Sequence, residues 1–214
     1  MGADISFKWF VILLAASAFI AIGYLLGHRK NLKIIRRVAS VIESEILPSD
    51  TVYTWLGGVL GFTATYALEG FSKLTASFFT LPRQSLLYLP IAYLTTTHDK
   101  LELFFYLKKN ISNEIHIIKK NSMPGRMPTI YNKDNLVSET ININGSNYLV
   151  LYRKQDKMIK KLTELLTVID KKSFFHIALT PDKNIFYIRL NIKYGRLNST
   201  GSSIKEIKKF LLSI

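Results

Sequence analysis

The chain has 214 residues, 29 Lys and Arg against 15 Asp and Glu, a net charge of +14 and no cysteine. Lack of thiols excludes a disulfide framework, a cysteine-ligated metal and a thiol nucleophile, and fits a reducing compartment. A charge this positive suits lipid headgroups or nucleic-acid phosphates, or is a solvated basic surface with no specific partner.

The first element is the run Trp9 to Leu26, WFVILLAASAFIAIGYLL, which holds no charge and no proline. A hydrocarbon core about 30 Å thick needs roughly 20 apolar residues at about 1.5 Å each, and with Phe7 and Gly27 this run is long enough. Trp9 and Tyr24 sit near its ends, where amphipathic rings favour headgroups. A soluble core helix would show a polar stripe or end sooner. A cleaved signal would need a basic start and a small-residue cleavage pattern, but Lys8 is offset by Asp4 and no such pattern follows. Arg29, Lys30, Lys33, Arg36 and Arg37 outweigh Lys8, so the expected topology is a single pass in the cell membrane, N-terminus outside and body cytoplasmic.

From Asn31 to Leu47, Leu32, Ile35, Val38, Ala39, Ile42 and Ile46 recur at steps of three and four, predicting an amphipathic helix that Pro48 ends. Gly58 to Leu68 and Lys73 to Leu81 read as a hairpin joined by Glu69 to Ser72. A strand is preferred to a second membrane span over the first run, which is short before Glu69 and rich in glycine. Arg83 to Thr96 is expected to be a helix, apolar nearly all round and kinked at Pro90, hence either core or a docking surface. Leu101 to Lys108 and Glu114 to Lys119 read as paired strands closing a β–β–α–β–β unit.

Asn121 to Leu136 reads as a connector with two prolines. Strands near Thr140 to Asn142 and Tyr148 to Arg153 flank Asn144-Gly145, a type I′ turn signal. A helix follows over Gln155 to Asp170, then a hairpin of Phe174 to Thr180 and Ile185 to Lys193. Gly195 to Ser202 reads as a loop, with Ser203 and Glu206 as the capping box of a last helix. The expected fold is α+β: a transmembrane anchor (1–28), a linker helix (29–48), two α/β units (49–120 and 137–214) of antiparallel hairpins packed with helices, and the connector (121–136).

No constellation for catalysis emerges. His28, His98, His116 and His176 lack metal-ligand spacing, and the two that fall in strands, His116 and His176, read as structural. Gly57-Gly58-x-x-Gly61 lacks the Lys-Ser/Thr of a phosphate loop. No cofactor, metal or small-molecule substrate is expected, and the chain is read as non-catalytic. Basic clusters stand out instead: Lys108, Lys109, Lys119, Lys120 and Arg126, and then Lys154, Lys157, Lys160 and Lys161. Their expected ligand is RNA phosphate or anionic lipid; without interleaved aromatics, RNA would be held by phosphates and shape. Arg83, Leu86, Leu87, Leu89 and Ile91 are the candidate docking residues for a partner.

The run Leu81-Pro82-Arg83-Gln84-Ser85-Leu86-Leu87 with Asp99, the stretch Met158 to Leu179 and the stretch Ile185 to Ile214 resemble the calumin family, the soluble-domain subunit of the PAT intramembrane chaperone complex. The chain looks like a shortened prokaryotic or archaeal version of it, without that family's acidic segment and charged coiled-coil tail. The resemblance implies a membrane-anchored accessory factor of membrane-protein biogenesis beside the Sec translocon and ribosome, with ribosomal RNA and a small membrane subunit among its partners. The alternative is a membrane-bound scaffold or sensor whose basic face holds anionic lipid.

Overall fold

The computed structural model describes residues 2–120, 127–131 and 133–214, with residues 2–6 as backbone. Over the described residues the fold is α+β: one long N-terminal helix, nine strands in one antiparallel sheet, and three further helices.

Helix α1 runs unbroken from Gly2 to Ile46, so anchor and linker are one element. Residues 7–22 of it are exposed throughout. The stretch has a mean hydropathy of 2.4 over 18 residues and is 6% buried, long and apolar enough to cross a membrane. The second half docks through Ile34, Ile35, Val38, Ile42 and Ile46, all 2% exposed or less. Burial of each is worth roughly 1.5–3 kcal/mol. Leu47, with φ 49°, turns the chain out of the helix.

The sheet contains β1 (Asp50–Trp55), β2 (Gly61–Ala67), β3 (Phe71–Phe79), β4 (Asp99–Leu107), β5 (Ile115–Lys119), β6 (Val137–Ile143), β7 (Ser146–Tyr152), β8 (Phe174–Thr180) and β9 (Ile185–Ile192). Its spatial order is β1-β2-β3-β4-β9-β8-β5-β7-β6. Helices α2 (Leu89–Thr95), α3 (Lys157–Val168) and α4 (Leu197–Ser213) complete the chain. Leu162 and Leu165 of α3 and Ile204 and Ile207 of α4 join α1 on one sheet face in a single core with Phe62, Phe78, Phe105 and Phe186. On the other face Ile118, Leu149 and Leu151 pack with Leu136 and Ile130.

Four expectations are corrected. First, β4 and β5 do not pair; β4 lies between β3 and β9, and β5 between β7 and β8. Ile115 and Ile117 of β5 enter the main core while His116 and Ile118 are buried on the opposite face, so this strand is covered on both faces in the interior of the sheet. Consequently the two expected units share one continuous sheet. Second, β1 is an unforeseen edge strand, mostly exposed and thus without alternating burial. The glycines after it serve its turn: Gly57 and Gly58 have φ 87° and 50°.

Third, α2 starts only at Leu89, with Pro90 in its first turn, where a missing N–H costs nothing; Arg83 to Tyr88 precede it as turns. Fourth, α4 begins at Leu197, so Ser203 is no N-cap. It lies inside the helix, donating to the Ser199 carbonyl at 2.8 Å and accepting the Asp170 N–H at 3.0 Å. Gly201 lets α4 approach α1, since a Cβ there would meet Val41 at 3.0 Å and Glu45 at 3.1 Å. The Asn144-Gly145 turn has φ 49° and 80°, the type I′ geometry expected.

Candidate membrane-surface site

Strand directions give the sheet two chemically distinct ends. Asp99 at the start of β4, Lys193 after β9, Lys171 and Lys172 before β8, and Lys119 and Lys120 at the end of β5 fall at one end. Helix α1 enters the body at that same end, because Asn31 donates to the Leu81 carbonyl (2.7 Å) just beyond β3. Lys108 and Lys109, after β4, fall at the opposite end. The first predicted basic cluster is therefore split, with Arg126 outside the described residues. Lys109 donates to the Ile214 carbonyl, Lys119 to the Lys171 carbonyl and Lys120 to Thr140. Lys154, Lys157, Lys160 and Lys161 are exposed around the start of α3. Lys161 meets Lys108 and Lys109 at one cavity of about 280 Å³.

At the α1 end lies a groove of about 670 Å³ between α1 and the turn into α4. Arg29, Lys33, Arg36 and Arg37 form one wall, and Tyr194, Gly195 and Asn198 the other. The α1 wall follows from helical spacing, since residues three, four and seven apart share a face. The far wall is held by Asp170: Ser173, Ser199 and the Lys172 N–H all donate to it, and Arg196 is paired to it at 3.7 Å. Burial pushes the Asp170 pKa up, but these donors outweigh burial and hold it below its usual range. Lys33 Nζ stands 6.0 Å from the Tyr194 ring centre. Among the described residues, Arg29, Lys33, Arg36 and Arg37 form no ion pair. Four cations and a hydroxyl-bearing rim give the groove hydrogen-bond donors of the kind that phosphate oxygens accept from.

The groove keeps its place through a buried polar lock. Arg83 makes a two-point pair with Asp99 (2.8 and 2.9 Å) and donates to Asn31 Oδ1 at 2.9 Å. Asp99, 1% exposed, also accepts the Leu81 N–H at 2.7 Å, and Asn31 donates to Gln84 at 3.1 Å. Arg83, a predicted docking residue, is thus engaged inside the molecule. Of its companions, Leu87 and Ile91 are 79% and 52% exposed, while Leu86 and Leu89 are partly buried.

A second constellation was illegible in the sequence. Pairing of β5 with β8 sets His116 and His176 diagonally, with Nδ1 and Nε2 3.3 Å apart and the rings stacked. Glu114 lies 3.2 Å from His116 and 3.4 Å from Arg153. Burial, then His116 and Arg189, push the His176 pKa down to about 3, and burial lowers His116 despite Glu114. His176 is therefore neutral at physiological pH and packs on the Tyr187 ring. Among the described residues, no three His, Cys, Asp or Glu side chains converge to hold a metal ion.

No family model matches the chain, and no curated protein matches it. Among solved structures it is similar to the crystal structure of the mycobacterial trehalose monomycolate transport factor A, TtfA. The TM-score is 0.48 at 8% identity, over 83% of this chain and 94% of that one. A likeness at that level carries no argument about what this chain does.

Proposed function

We propose that the protein is a non-catalytic, single-pass scaffold of the cell membrane that holds anionic lipid headgroups at the cytoplasmic surface. The observation that carries this reading is the groove of Arg29, Lys33, Arg36 and Arg37 at the body end from which the apolar half of α1 emerges. A headgroup phosphate in a bilayer crossed by residues 7–26 meets Arg29 and Lys33 one to two helical turns beyond the apolar run. The excess of these cations over Lys8 sets the body on the cytoplasmic side.

A second reading keeps the biogenesis role implied by the calumin resemblance, beside the Sec translocon and ribosome. In its favour, Lys108, Lys109, Lys154, Lys157 and Lys161 cluster at the end of the body opposite the one where α1 enters, a basic surface turned away from the bilayer and of the sign that RNA phosphates require. Gentle detergent extraction of a tagged chain, with mass spectrometry of lipids and proteins that co-purify, separates the two. Enrichment of anionic lipid, lost when Arg36 and Arg37 become Gln, is the outcome of the scaffold reading. Translocon subunits and ribosomal proteins, lost when Lys108 and Lys157 become Glu, would instead favour biogenesis.

A further inference from the structure

Between β3 and β4 the chain leaves the sheet at the α1 end and runs from Gln84 to Thr97 without a charged side chain. Leu87 and Leu94 are 79% and 78% exposed, Tyr88 and Ile91 each 52%, and Tyr93 46%. Part of its backbone is paired within the segment: Leu89 N–H donates to Ser85, Ala92 to Tyr88 and Thr96 to Ala92. Pairing of this kind lowers the cost of bringing backbone close to lipid.

The segment is fastened beside the apolar half of α1. Gly23 and Gly27 expose the α1 backbone on one side, and residues 83–86 fill the space. A Cβ on Gly23 would fall 2.1 Å from Leu86, and one on Gly27 2.0 Å from the Arg83 carbonyl oxygen. Gly23 lies three residues before Leu26, so Leu86 sits about 5 Å inside the end of the apolar run at about 1.5 Å per residue. Elements lying in a membrane interface bury their apolar face about 5–10 Å, and tyrosines favour headgroup level. Trp55 and Leu60, each 49% exposed, stand at the same end of the sheet.

We propose that Gln84 to Thr97 lies in the headgroup–acyl boundary of the leaflet below which the body hangs, with Leu87 and Ile91 in contact with acyl chains. This inference rests on α1 crossing the bilayer, as proposed above. The occupant is lipid because the patch is uncharged and continuous with the lipid-facing surface of α1. It gives the body a second hold on the membrane, separate from the groove.

Because the chain has no cysteine, single nitroxide labels can be placed on the full chain in phosphatidylcholine–phosphatidylglycerol nanodiscs. Leu87→Cys and Ile91→Cys are the test sites. Leu13→Cys, in α1, reports anchoring, and Lys183→Cys, at the far end of the body, reports water. Collisions with oxygen and with a water-soluble nickel chelate are measured at each. The expected result is nickel accessibility at 87 and 91 several-fold below that at 183, with oxygen accessibility approaching that at 13. Water-like values at 87 and 91 with a lipid-like value at 13 would overturn the inference while leaving the anchor in place. A water-like value at 13 would remove both.

Discussion

Gly27 of α1 lies directly against the main-chain carbonyl of Arg83, so close that a Cβ on Gly27 would come within 2.0 Å of that oxygen. A flexible side chain can yield to such an intrusion, but a carbonyl held by the Arg83–Asp99–Asn31 lock cannot. Gly27→Ala should therefore destabilise the folded chain by about 1–3 kcal/mol through overpacking. Thermal unfolding in a mild detergent reads this, with Gly195→Ala as the comparison, because nothing lies within 4 Å of a Cβ there. Equal midpoints for the two variants would show that the α1 contact does not hold the segment.

Asp99 is 1% exposed and is the carboxylate partner of Arg83. Asp99→Asn leaves the guanidinium inside the molecule without its counter-charge, which costs on the order of 3–5 kcal/mol. Replacing Arg83 by Met together with Asp99 by Asn should recover part of that loss, since no uncompensated charge then remains. A double-mutant cycle by thermal unfolding checks this; additive effects would contradict it.

Much of this architecture was legible locally. The three-and-four spacing of Ile35, Val38, Ile42 and Ile46 predicts the docked half of α1, and Asn144-Gly145 predicts its hairpin. What was illegible depends on partners far away in sequence. The start of α4 reads Asn198-Ser199-Thr200-Gly201-Ser202, a loop by composition, yet it is helical. There, Thr200 and Ser202 bond carbonyls four residues back, and Gly201 fits against α1. The groove unites residues 29–40 with 194–198, and the histidine pair needs β5 beside β8; no local pattern encodes either meeting.

The His176 ring titrates far below its ordinary value of 6.5, at about 3. Between those values the unfolded chain takes up a proton that the folded chain refuses, so stability falls as pH drops from 6.5 toward 3. The slope from this group is at most about 1.4 kcal/mol per pH unit. His176→Gln should flatten the profile in that window relative to the unchanged chain, with little difference at pH 8. His116, Glu114, Arg189 and Tyr187 surround the ring, and the comparison of the two profiles subtracts their common contribution. Parallel profiles would show that His176 is protonated in the fold.

Binding of anionic headgroups in the groove beside α1 is open to a direct measurement. Native mass spectrometry of the full chain released from neutral detergent, titrated with phosphatidylglycerol or phosphatidylcholine, tests it most directly. The phosphatidylglycerol adduct is expected to survive activation better than the phosphatidylcholine adduct, and Arg36→Gln with Arg37→Gln is expected to abolish the difference. Equal retention of the two lipids by the unchanged chain, or a preference that the double substitution leaves intact, would contradict it.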